Sequence, residues 1–305
     1  MRKLRNVFAE TMLRVGLKDK DLVVMVGDIS HGILQPFAKN CKNQYYNMGI
    51  CEPSIMGMAS GLSMSGMTPV VHTISPFLIE RSYEQIKLDF GYQKLGVNIV
   101  TVGGSFDYSK LGCSHHCYTD ISLMSHFKNC KIFIPGSEKE FTKLFAENYK
   151  KNQINYFRLP DRDHGLTFKA KQIKTGKAIK INDGANITIA VTGYLLKHVL
   201  DILPILNKKN IFADVLYFNS IKPFDKILLR KSLKKTKNLL TIEDLSAHDG
   251  LYSLCIKSAF DINIKRAKQL AVDDFIHQYG SYEDICKNIN LDKDSIFREI
   301  LKIVK

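Results

Sequence analysis

One carboxylate stands alone in a long uncharged stretch: Glu52, in Asn47-Met48-Gly49-Ile50-Cys51-Glu52-Pro53-Ser54-Ile55-Met56-Gly57-Met58-Ala59-Ser60-Gly61-Leu62-Ser63-Met64-Ser65-Gly66. Pro53 suits the first turn of a helix, which puts Glu52 at or just before its N-terminus. There the helix dipole favours the charged carboxylate, while a wall of Met, Ile and Leu opposes it. That balance suits a group that passes a proton. The competing reading is a plain helix cap. A second reactive stretch is Cys113-Ser114-His115-His116-Cys117, where imidazole can move a proton or polarise a carbonyl near neutral pH. Zinc is the rival there, but a closed structural site draws ligand pairs from two separated knuckles, and no second Cys/His pair with suitable spacing follows.

The elements that must position these groups are legible. Apolar residues at helical spacing run from Arg5 to about Val15, and Asp21–Val26 reads as a buried strand ending in Gly27-Asp28. A site at that strand's carboxyl end would see Asp28. Downstream of Glu52 the residues Gly57, Ala59, Ser60 and Gly61 are small enough to admit a backbone or a flat ligand. Further apolar strands are expected at Thr68–Ile74, Val97–Val102, Lys131–Ile134 and Asn155–Leu159, with Ser137 as the N-cap of the next helix. After a polar, lysine-rich passage the strand and helix pattern restarts at Ile187. The expected architecture is therefore two consecutive α/β domains with mostly parallel sheets, spanning 1–168 and 185–305, joined by a linker at 169–184.

The chain has 305 residues, 45% of them hydrophobic, enough for two cores. No apolar run reaches membrane-spanning length and the N-terminal residues lack the apolar block of a secretion signal, so a cytoplasmic protein is expected, with no membrane partner. Seven cysteines without regular spacing fit a reducing compartment rather than a disulfide framework. The formal charge of +14 raises nucleic acid as a partner, but the lysines are dispersed and the one dense knot, Arg230–Lys237, reads as a solvated helix face.

The Glu52 stretch resembles the G-I-x-E-x-x-x-x-G-x-A-x-G-L segment of the transketolase family and its relatives. Further segments resemble that family in the same order: Phe77-Leu78-Ile79-Glu80-Arg81-Ser82-Tyr83-Glu84-Gln85-Ile86, the Gly112-Cys113-Ser114-His115-His116 loop, Ile221–Asp225 and Thr241–Asp244. The resemblance implies that Glu52 hydrogen-bonds the pyrimidine ring of thiamine diphosphate. It further implies that Phe77 stacks on that ring, that Asp28 lines the thiazolium end, and that His115 reaches the reacting carbon of the substrate. Arg158 and Arg5 match arginines that hold substrate phosphate, a task suited to the planar guanidinium fork. Many transketolases carry an Asp where this chain has Leu111 and a phosphate-binding His where it has Gly103, which leaves room for an unusual sugar.

The Gly-Asp-Gly motif with a following Asn, which holds the diphosphate's Mg2+ (or Ca2+) in this family, is missing from the sequence. Gly27-Asp28-Ile29 lacks the second glycine, and His248-Asp249-Gly250 lacks the asparagine. The resemblance therefore implies one half of a split enzyme, whose N-terminal partner subunit carries the metal, in a self-associating α2β2 assembly. The implied reaction is transfer of a two-carbon ketol unit from a ketose, expected to be phosphorylated, to an aldehyde. A decarboxylating relative of the deoxyxylulose-phosphate synthase or dehydrogenase β-subunit kind, and a non-catalytic partner subunit, are the alternatives.

Overall fold

The structure is a computed structural model that describes residues 3–305. Seven strands form the first sheet: β1 (Leu22–Val26), β2 (Tyr45–Asn47), β3 (Thr68–Ile74), β4 (Val97–Val102), β5 (Cys130–Phe133), β6 (Ile154–Leu159) and β10 (Ser220–Lys222), in the order β10-β5-β6-β4-β3-β1-β2. All neighbours are parallel except β10, which runs antiparallel to β5. The second sheet has the order β12-β11-β8-β9-β7, built from β7 (Ile179–Asn182), β8 (Ile187–Val191), β9 (Ala213–Tyr217), β11 (Asn238–Ser246) and β12 (Arg266–Val272). Helices cover both faces of a parallel sheet, so its strands are buried throughout and read as continuous apolar runs. The fully buried β1, β4, β6, β8 and β9 follow that rule.

The strand order of the first sheet decides where a ligand can sit. From β1 the chain moves outward to the edge strand β2, then returns to the other side of β1 as β3. The connections after β1 and β3 thus leave in opposite directions, opening a crevice at their carboxyl ends. The helix Glu52–Met64 starts beside that crevice, with Pro53 in its first turn and Ile55, Met56 and Ala59 buried against the sheet.

The boundary between the domains departs from the sequence reading. The expected linker at 169–184 contains β7, which pairs antiparallel with β9 through Ile179 and Tyr217. Strand β10, from the C-terminal half, crosses back to extend the first sheet, and Lys222 Nζ donates to the carbonyls of Ser125 and Phe127 at 2.9 and 2.6 Å. Lysines and short length masked these edge strands, only three and four residues long. A buried carboxylate, Glu140, fastens the same junction: it accepts from Ser137 Oγ (2.7 Å), Tyr217 Oη (3.0 Å) and Asn219 Nδ2 (3.1 Å), and pairs with His164 Nε2 at 2.8 Å. Ser137 does occupy the N-cap position of helix Glu138–Asn148, but its hydroxyl serves Glu140 rather than the helix backbone.

Candidate active site

A cavity of about 350 Å³ opens at the β1/β3 crevice, lined among others by Asp28, Ser30, Glu52, Thr73 and Phe77. Three of the residues singled out in the sequence therefore share one wall system, brought from three different connections of the sheet. Glu52 is only 1% exposed, and its Oε2 accepts a hydrogen bond from Arg81 Nη1 at 2.8 Å. A buried carboxylate needs a compensating charge or several donors, and the half-exposed Arg81 supplies the charge. The Arg81 guanidinium also lies 4.4 Å from the centroid of the Phe77 ring, a cation–π contact that fixes the ring at the cavity wall.

His115 stands beside this pair. Its ring meets the Phe77 ring edge-on, with centroids 5.2 Å apart, and the Tyr108 ring at 6.2 Å. Glu80, on the same π-helical turn as Phe77, accepts from Thr119 Oγ1 at 2.6 Å and faces Cys117 Sγ at 3.5 Å, tying the histidine loop to the aromatic segment. Backbone pairing between Ser105 and Cys117 closes the loop's base. Burial holds the Cys117 thiol protonated, its pKa pushed well up, and Cys113 is exposed. The adjacent His116 is buried, and desolvation, reinforced by His115, lowers its pKa.

Asp28 is set in an unusual backbone. Asp28 and Ser30 both have positive φ, 67° and 66°, and the Ile29 N–H bonds the Gly27 carbonyl at 2.8 Å across a three-residue turn. Non-glycine residues in this region cost roughly 1–3 kcal/mol each and persist only where the surroundings impose them. Asn47 does the imposing: its Oδ1 accepts from the N–H groups of Asp28 (3.0 Å) and Gly49 (3.2 Å), and its Nδ2 donates to Asp28 Oδ1 at 3.2 Å. Gly27 sits in a close-packed spot, where a Cβ would come within 3.2 Å of Thr73 Oγ1 and 3.4 Å of the Gly49 carbonyl oxygen.

Behind the Asp28 turn lies a fully buried histidine. His72, on β3, approaches the Val100 carbonyl with Nδ1 at 2.7 Å and Ser30 Oγ with Nε2 at 2.8 Å. Burial lowers its pKa to about 4, opposed by the Val100 bond and assisted by the nearby Arg5 cation. Arg5 itself is half-buried on helix Leu4–Gly16, within electrostatic reach of His72 and Tyr108.

Arg158 lies in a buried ion-pair cluster between the two sheets. It is 3% exposed, with Nε 3.5 Å from Asp120 Oδ2 and Nη2 3.0 Å from Asp244 Oδ2, the latter contributed by β11 of the second sheet. Tyr156 Oη donates to Asp120 at 2.6 Å, and a Cβ on Gly104 would fall 2.0 Å from Arg158 Nε. Two carboxylates neutralise this guanidinium and tie the two domains together, while its buried Nη1 has no partner among the described residues.

Four contributors were not picked out from the sequence. Arg81 follows Phe77 by four residues, a helical spacing that predicts shared contacts. Asn47 opens the very stretch that contains Glu52. His72 is an isolated imidazole in an apolar strand, and Ser30 follows Asp28 by two; their pairing across 42 positions has no local signature.

Comparison with known proteins agrees with this arrangement. The family profile described as transketolase, pyrimidine binding domain, matches residues 1–164, and that described as transketolase, C-terminal domain, matches residues 176–296. The chain is 30% identical to one of the subunits of the apulose-4-phosphate transketolase of Phocaeicola vulgatus, over 99% of this chain and 97% of that one. It is 27% identical to 1-deoxy-D-xylulose-5-phosphate synthase of Clostridium tetani, over 98% of this chain but 48% of that enzyme. In three dimensions it resembles a split-gene transketolase solved as an inactive β4 tetramer, with a TM-score of 0.88, 24% identity and coverage of 99% and 98% of the two chains, a likeness of fold. With its crevice carboxylate and two α/β domains accounted for, the chain belongs to the transketolase family, of which it carries the pyrimidine-binding and C-terminal domains.

Proposed function

We propose that this chain is the pyrimidine-binding subunit of a split, thiamine-diphosphate-dependent enzyme that transfers a two-carbon ketol unit from a phosphorylated ketose to an aldehyde. The observation that carries the reading is a carboxylate 1% exposed, opening on a cavity that also holds an aromatic ring and an aspartate. That donor set fits a flat, nitrogen-bearing ring: a carboxyl for a ring nitrogen and the Phe77 face for stacking. When bound, thiamine diphosphate supplies the carbon nucleophile and the electron sink.

The residues of this chain orient the ring and manage protons. Glu52 holds a proton between itself and the pyrimidine nitrogen, and Arg81 keeps its carboxyl in place. Phe77, pinned by Arg81, sets the plane of the ring. His115, across the Phe77 edge, polarises the substrate carbonyl or shuttles its proton. Asp28, locked by Asn47, lines the thiazolium end. Arg5 and Arg158 are the candidates for substrate phosphate, Arg158 being already paired with Asp120 and Asp244. The phosphorylated sugar in the name of the Phocaeicola vulgatus relative supports that class of substrate.

A companion N-terminal subunit would hold the Mg2+ (or Ca2+) and the diphosphate, since the sequence lacks the Gly-Asp-Gly and Asn pattern. Relatives in Phocaeicola vulgatus and Actinobacillus succinogenes are named as single subunits of a transketolase, which supports a companion; the assembly we propose is α2β2. The test is co-expression with a companion chain that contains the missing pattern, followed by calorimetric titration of thiamine diphosphate with Mg2+ and an assay of ketol transfer. Binding and transfer are expected only in the complex. Full turnover by this chain alone, or a stable complex that ignores thiamine diphosphate, refutes the proposal, and carbon dioxide release from pyruvate would move it to the decarboxylating branch.

A further inference from the structure

Ser30 and His72 form a pair whose hydrogen-bond polarity is fixed by the fold. A backbone carbonyl only accepts, so His72 Nδ1 carries the proton that meets Val100 O at 2.7 Å. A neutral imidazole then has a bare Nε2, which must accept, and the group 2.8 Å away is the Ser30 hydroxyl. Complete burial works against a second proton and Arg5 adds a positive charge nearby, which together outweigh the Val100 bond. The Ser30 O–H is therefore spent inward. Ser30 lines the cavity, and its hydroxyl oxygen has lone pairs but no hydrogen left to offer a ligand there.

We propose that Ser30 is a specificity-determining residue, positioned by His72, which presents an acceptor only and so seats a hydroxyl of the substrate while turning away a phosphate or carboxylate oxygen. The inference rests on the ketose reading above and deepens it: the part of the substrate that lies against the Asp28–Ser30 turn is a polyol segment. The strained backbone agrees with a placement chosen for its side chain, since φ of 66° at a serine needs the surroundings to hold it. A phosphate placed there would set its own lone pairs against those of Ser30, and its anchor must lie elsewhere. This distinguishes Ser30 from Arg5, whose cation would attract the phosphate that Ser30 refuses.

The experiment measures dissociation constants by ligand-detected NMR for D-fructose 6-phosphate and its monodeoxy analogues. The protein is this chain complexed with its companion, kept free of thiamine diphosphate so that nothing turns over. The wild-type complex should bind one analogue about tenfold more weakly than the parent sugar, the loss of one hydrogen bond. Ser30→Gly removes the hydroxyl without straining the left-handed backbone; it should weaken the parent sugar about tenfold and leave that analogue unchanged. His72→Gln places an amide oxygen where Nε2 was and should still refuse phosphate here, whereas His72→Asn keeps the Val100 bond but frees the Ser30 O–H to donate, so inorganic phosphate should compete with the sugar about tenfold better than in the wild type; no change in phosphate competition overturns the role given to His72. Equal binding of all analogues by the wild type, or parent affinity unchanged in Ser30→Gly, overturns the inference. A wild-type complex that transfers ketol units while the Ser30 variants match it on every sugar defeats this inference alone. One that neither binds nor transfers any ketose defeats the proposed function, and this inference falls with it.

Discussion

Replacing Glu52 by glutamine separates the proton-managing role of this side chain from its packing role. The side chain is 1% exposed and makes one charge-assisted bond, to Arg81, of the kind worth about 1.5–3 kcal/mol. Glutamine keeps the shape, and its amide oxygen can still accept from Arg81, so part of that bond survives as a neutral-acceptor contact. Removing the charge also removes the cost of burying it, and Arg81, at 45% side-chain exposure, can recover hydration. These effects nearly cancel, leaving a net stability change of about 1 kcal/mol or less, a shift in Tm of about 3 °C. Catalysis has no such compensation. An amide cannot hold and release a proton against a ring nitrogen, and loss of a positioned acid–base group lowers turnover about 10²- to 10⁴-fold. The assay pairs thermal unfolding of the variant with ketol transfer by the reconstituted complex. Turnover within a few-fold of wild type would refute the role given to Glu52; so would a loss of activity that merely tracks a large loss of stability.

Other expectations follow from the same geometry. Arg158→Leu should cost about 3–5 kcal/mol in urea unfolding, because Asp120 and Asp244 are left buried without their counter-charge, and the double variant with Asp244→Asn should recover part of it. A variant of unchanged stability but raised KM would instead return Arg158 to phosphate binding. Asn47→Ala should weaken thiamine diphosphate binding by the complex about tenfold while costing about 1 kcal/mol of stability, since water can reach the exposed N–H groups it leaves; calorimetry checks the first and denaturation the second. Burial, reinforced by Asp244, raises the Asp107 pKa to about 7. The folded state then binds a proton that the unfolded chain has already lost, so this group's stabilisation is complete below its ordinary value of 3.8 and disappears as pH rises through about 7. Asp107→Asn should therefore gain on wild type by up to about 1.4 kcal/mol per pH unit across that window, read from unfolding at several pH values; parallel curves would refute it.

The apolar runs announced the strands and the Glu52 helix because a doubly covered parallel sheet demands uninterrupted apolar sequence, and that demand is local. Short edge strands such as β7 and β10 carry no such mark. They are three or four residues long, mix apolar and polar positions, and exist because a distant strand offers them hydrogen bonds.

The site divides in the same way. Residue type and spacing alone determined that Glu52 heads a helix, that Asp28 follows a strand and that imidazoles crowd the loop at 115, since each depends on neighbours a few positions away. Tertiary structure alone decided which charges meet. It gave Glu52 to Arg81, paired Arg158 with Asp120 at the start of a helix and with Asp244 on a strand of the second sheet, and bonded Ser30 to His72. An arginine's charge is visible in a sequence, but its counter-charge is set by strand order, and strand order is a property of the assembled sheet.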